Sequence, residues 1–104
     1  MNVLIRPQAW LDIEEDMAYL QEKAGEDVSV GYYNAVRSAL SNLSKQPGLG
    51  RRRPELKPSG IRSWRVDAPF TDWLIFYRLI DGGLDIIRVK HGAMDIQKLF
   101  EGET

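Results

Sequence analysis

The chain has no cysteine. Disulfides and thiolate metal ligands are therefore excluded, and a reducing, cytoplasmic setting fits the composition. Histidine occurs once, at His91, so no histidine cluster can accompany the carboxylates as metal ligands. No apolar run approaches the ~18 residues of a membrane-spanning helix. The opening residues, Met1 to Arg6, hold too short an apolar run for a signal peptide. Internal repeats and low-complexity segments are also missing. What remains is a 104-residue chain, 43% hydrophobic and 28% charged, the composition of one globular domain spanning residues 1–104. Net charge is −1 but unevenly placed. Residues 1–44 carry three Lys/Arg against seven Asp/Glu, residues 45–90 ten against five, and residues 91–104 one against three. An acidic first half and a basic second half suggest one face aimed at an anionic partner.

Residues 73–91 organise the rest. Two runs rich in β-branched and aromatic residues, 73–80 and 84–91, flank Asp81-Gly82-Gly83, a hairpin signal. The first run is apolar on both alternations, as in a strand covered on both faces. In the second, Asp85, Ile87, Val89 and His91 share one side and Leu84, Ile86, Arg88 and Lys90 the other. Upstream, Val3-Leu4-Ile5 reads as a strand. Pro7 suits the first turn of a helix, and Ala9, Trp10, Ile13, Met17, Leu20 and Ala24 form its apolar stripe. Asp12, Glu14, Glu15 and Asp16 then read as a solvated acidic face near the helix start. Gly25-Glu26-Asp27 breaks that helix, with Asp27 as a candidate cap and Gly31 marking a later start for the next. Tyr33, Val36, Leu40 and Leu43 give the second stripe, which Pro47 ends. Residues 61–66 form a strand, residues 67–72 a turn, and residues 92–100 a short last helix; residues 101–104 fray.

The expected fold class is α+β in two layers: an N-terminal strand, an αα-hairpin, then a three- or four-stranded antiparallel meander with a short C-terminal helix. Between helix and meander lies a loop, residues 47–60, with three prolines and three glycines. Its arginines Arg51, Arg52 and Arg53, with Lys57, mark it as a contact for phosphate or for an acidic partner.

Five segments resemble the ParE branch of the RelE/ParE toxin superfamily: Pro7-x-Ala9-x-x-Asp12-Ile13, Pro47-x-x-Gly50-Arg51, Gly60-Ile61-Arg62, Ile75-Phe76-Tyr77-Arg78, and Arg88-Val89-x-His91-Gly92-Ala93-x-Asp95-Ile96. The resemblance covers nearly the whole chain. It implies a type II toxin held inactive by a cognate antitoxin in a toxin–antitoxin hetero-oligomer, and it places the first strand beside the last. For the ParE branch it implies inhibition of DNA gyrase without nuclease chemistry; for the RelE branch, ribosome-dependent cleavage of mRNA; an inactive module that only binds antitoxin is the third alternative. Arg6 stands where a Ser or Thr cap is common, and Met94 where Arg is common.

RNA cleavage would need a base, an acid and cations for the phosphorane charge. Glu55, His91, Arg65 and Arg78 are the residues of the right kind. RelE-like nucleases place a Tyr, or a His–Tyr pair, near the C-terminus; here no aromatic residue follows His91 until Phe100. A binding surface is therefore expected, with Arg51, Arg52, Arg53, Arg62, Arg88, Lys90 and His91 as contacts for the target or the antitoxin. A basic groove beside apolar sheet and helix surface would suit an acidic amphipathic segment. Nothing in the sequence implies a cofactor, a metal or a membrane.

Overall fold

In a computed structural model, which describes residues 2–101, the hairpin forms the middle of a five-stranded sheet. The elements run β1 (Asn2–Ile5), α1 (Pro7–Ala24), α2 (Glu26–Lys45), β2 (Arg51–Arg52), β3 (Arg62–Arg65), β4 (Trp73–Ile80), β5 (Gly83–His91) and α3 (Ile96–Glu101). The sheet order is β1-β5-β4-β3-β2. Strands β2 to β5 form an antiparallel meander, and β1 joins β5 in parallel, from Asn2 opposite Gly83 to Ile5 opposite Ile86. A parallel neighbour cannot follow a tight turn, and the αα-hairpin supplies the crossover.

The helices cover one face. Ile13, Tyr32, Val36, Ala39 and Leu43 pack there on Ile75, Tyr77, Leu84, Ile86 and Val89. The opposite face carries a second, smaller core in which Phe76 and Ile87 meet Leu56, Ile61, Ile96 and Phe100. The doubly apolar β4 run thus lies between two packed layers.

Strict alternation along β5 does not hold. Tyr77 pairs with Ile86 and Phe76 with Arg88, so Ile87 is an extra residue, a β-bulge. The bulge brings Val89 into the first core beside Leu84 and Ile86, while Ile87 lies in the second. The second helix also departs from expectation. It starts at Glu26, before Gly31, and Asp27 makes no capping bond. Gly25, at φ 97°, provides the sharp joint between the helices. The first turns of α2 are instead fastened by Ser29, whose hydroxyl donates to the Met17 carbonyl at 2.8 Å, and by Tyr32, whose hydroxyl donates to Asp16. Trp10 and Ala24, assigned to the α1 stripe, lie exposed. Glu101 ends α3, and the remaining residues expected to fray, 102–104, lie outside the described residues. Among the described residues no helix is long and apolar enough to cross a membrane.

Candidate functional site

The expected acidic face of α1 is corrected at Asp12, which is buried. Strand β1 ends at Ile5, so β5 is an open edge beyond Ile86. Helix α1 crosses that edge and Asp12 closes it. Its carboxylate accepts from Arg88 Nε at 2.8 Å and Nη2 at 3.0 Å, from the Val89 amide at 3.1 Å, and pairs with Lys90 Nζ at 3.0 Å. Burial pushes the carboxyl upward, but the bonds from Arg88, Lys90 and Val89 outweigh it and hold Asp12 below its ordinary value. One turn on, burial raises Asp16 against hydrogen bonds from Tyr32 and Trp73.

Arg88 and Lys90 are therefore turned inward on a carboxylate, where free docking cations were expected. Arg78 is also engaged. It donates to Asp85 at 3.0 Å, and Arg6 holds the same carboxylate through two bonds of 3.0 and 2.8 Å. Burial raises Asp85, yet the two guanidinium groups carry it below its usual value. Arg62 donates to the Gly50 carbonyl at 2.8 Å, next to a knot in which Tyr77 Oη donates to Pro47 and accepts from the Gly50 amide. Arg53 pairs with Glu55 at 2.8 Å, donates to Ser63 at 3.0 Å and lies over the Phe76 ring. His91 packs edge-on against Trp73 at 4.9 Å, and its Nδ1 accepts from the Ala93 amide at 3.0 Å, closing the turn that leads to α3. Arg51 and Arg52 lie exposed on edge strand β2, and Arg65 lies exposed over Trp64.

Glu55, Arg65, Arg78 and His91 are not brought together. Arg65 pairs with Leu74 and His91 with Trp73 at one end of β4, whereas Arg78 stands four or five residues along that strand, roughly 13–17 Å away at strand rise. Glu55 is exposed, and the Arg53 bond holds it below its ordinary value. Among the described residues no three His, Asp or Glu side chains form a metal-ligating group.

Among the described residues, two of the open surfaces lie apart from one another. The first is an apolar groove of about 300 Å³ between β1 and the helices, lined by Val3, Ile5, Trp10, Tyr33 and Leu40, with Arg37 its one cation. Periodicity within one element does not show it, because its lining is drawn from β1, α1 and α2 together. The second is the basic β2–β3 edge, with a cavity of about 370 Å³ lined by Arg52, Arg53, Arg62 and Leu79. The single basic groove beside apolar surface is thus resolved into two sites at opposite ends of the sheet.

A β-meander closed by a parallel first strand, with an αα-hairpin on one face, is a fold found in a toxin–antitoxin assembly. The chain superimposes with a TM-score of 0.73 on a chain of the chromosomal ParDE system from P. aeruginosa, at 14% identity, over 88% of this chain and 95% of that one. The family model described as "ParE toxin of type II toxin-antitoxin system, parDE" matches residues 3–96, and the chain belongs to that family. It is 31% identical over 85 residues to Toxin ParE3 of Caulobacter vibrioides, covering 82% of this chain and 80% of that protein. It is 27% identical over 96 residues to Toxin ParE1 of Mycobacterium tuberculosis, covering 91% and 93%.

Proposed function

We propose that this ParE-family toxin is neutralised by a cognate antitoxin and, once released, inhibits DNA gyrase by binding rather than by cutting RNA. The carrying observation is the apolar groove beside β1. Its apolar lining and single cation, Arg37, suit the apolar stripe of an amphipathic segment with an acidic residue at its margin. For the target, support comes from the separation of Glu55, Arg65, Arg78 and His91, which leaves no base, acid and cation set around one phosphate. Exposed Arg51 and Arg52 remain as contact candidates from the expected set, with the turn and helix after His91 beside them in the reading. Purified protein should inhibit negative supercoiling by gyrase and leave mRNA intact in a translation extract. Normal supercoiling at saturating protein, together with cleavage in the extract that is lost in His91→Ala, would replace this reading with the ribosome-dependent nuclease.

A further inference from the structure

We propose that the β2–β3 edge binds the phosphate backbone of duplex DNA. Residues 51–65 hold six Lys/Arg and one carboxylate, Glu55, in a chain whose net charge is −1. Glu55 is spoken for by Arg53. Among the described residues, no carboxylate forms an ion pair with Arg51, Arg52 or Arg65. Strand β2 pairs with β3 only at Ser63 and Arg62. Arg51 and Arg52 therefore project to opposite faces of a free edge. Past Ser63, β3 is itself the edge, and Arg65 sits there over Trp64 at 4.8 Å. Arg51 and Arg65 are diagonal neighbours across β2 and β3, which sets the two residues about 7–8 Å apart. Their guanidinium forks can reach successive phosphates.

The choice of partner follows from what this edge lacks. A stable protein interface needs an apolar centre inside its polar rim. Of the large apolar side chains left exposed, only Leu79 lines the edge cavity; Leu4, Trp10, Leu11, Tyr19, Val30 and Met94 do not. Nucleic-acid interfaces are more polar and more positive, and they draw affinity from counterion release without an apolar centre. Unpaired bases would need an aromatic platform, and Trp64, the aromatic residue here, is half-buried and covered by Arg65. Duplex DNA, with one phosphate charge per about 1.7 Å of helix axis, is the fitting ligand.

The experiment is fluorescence anisotropy of the full chain with a labelled duplex of about 20 base pairs, titrated at 50 and 200 mM salt. Engagement of about three phosphates gives a log–log slope near −2.7, a loss of roughly 40-fold between those salts. The triple substitution Arg51→Ala, Arg52→Ala, Arg65→Ala should remove this binding at an unchanged melting midpoint, and the corresponding Arg→Lys triple should retain the slope. A single strand of equal length should bind more weakly, and polyglutamate at equal charge should not displace the duplex. No binding at 50 mM, an unaltered slope in the alanine triple, loss of binding in the lysine triple, or displacement by polyglutamate as effective as by DNA would each overturn the assignment. The groove is elsewhere, so these outcomes do not decide antitoxin binding; gyrase inhibition is read separately, by the supercoiling assay on the native chain.

Discussion

At the residue scale, Asp12 does most to hold the architecture. Removing one member of a buried ion pair leaves the other uncompensated, at about 3–5 kcal/mol. Asp12→Ala takes from Arg88 and Lys90 the carboxylate they share and removes the acceptor of the Val89 amide. A fall of that size in unfolding free energy, read by urea titration at pH 7, is expected. Asp12 lies below its ordinary value in the folded chain. Its stabilisation is therefore complete above the unfolded-state value of about 3.9 and is lost as pH falls through the folded value. Asp16 is raised and has the opposite sign: its charged form opposes folding above its folded value, and that opposition disappears as pH falls toward the unfolded value. Stability curves of the native chain and of Asp12→Asn should thus converge as the medium is acidified below about pH 4. Parallel curves would show that the carboxylate's charge is not what matters. Gly50 is the second sensitive residue. A Cβ there would sit 2.5 Å from Tyr77 Oη and 2.6 Å from Cε1, and Tyr77 is fully buried. Gly50→Ala should cost about 1–3 kcal/mol through overpacking, seen as a lower melting midpoint; an unchanged midpoint would mean the 47–50 loop yields freely.

At the element scale, the helix stripes, the hairpin and the meander were legible because each depends on local periodicity. The αα-hairpin was recovered, though its second helix begins earlier than Gly31 suggested. A glycine in a helix lowers intrinsic propensity by only about 1 kcal/mol, and tertiary bonds from Ser29 and Tyr32 override it. The bulge at Ile87 was not legible, since alternation in one strand says nothing of where its partner slips. Asp12 was misplaced for a similar reason. Its spacing from Ala9 and Ile13 puts it on the flank of the stripe, but only the early end of β1 turns that flank toward two cations. The short segments that signal kinship are joined in space. Asp12 from the first binds Arg88 from the last, and Gly50 is fixed by Tyr77 and Arg62. These residues report the fold, which is why they identify the family, and Arg88, Lys90 and Arg62 are bonded within it. The C-terminal helix is a further consequence of doubly apolar β4: it covers Phe76 through Phe100 at 5.3 Å between rings. Phe100→Ala should cost about 3–5 kcal/mol. Hydrogen exchange should then show lost protection in α3 and at Phe76 and Ile87, with α1 and α2 less affected; uniform loss would argue for a single core.

At the scale of the whole molecule, charge and apolar surface are segregated to opposite edges of one sheet. Strand β1 beside the groove and strand β2 at the basic edge are separated by four strand spacings, about 19 Å. The molecule measures 37 × 30 × 21 Å. Screening length decides whether a partner approaching the groove senses the basic edge at all. It is about 30 Å at 10 mM salt and about 8 Å at 150 mM. At the lower salt an acidic segment of the proposed antitoxin would feel the field of residues 51–65 while still distant, and its approach would be accelerated. At the higher salt it feels little beyond Arg37. On the docking proposed above, a seated segment would be held by Val3, Ile5, Trp10, Tyr33 and Leu40, contacts that salt weakens hardly at all. Stopped-flow measurements on the antitoxin complex should therefore show an association rate that falls between 10 and 150 mM and levels off above, with a nearly constant dissociation rate. Trp10→Ser should do the reverse, leaving association close to native while raising dissociation about tenfold or more, in keeping with loss of a large aromatic anchor. A dissociation rate that climbs steeply with salt would place the antitoxin on the arginine edge instead, and the division of labour between the two ends of the sheet would then be wrong.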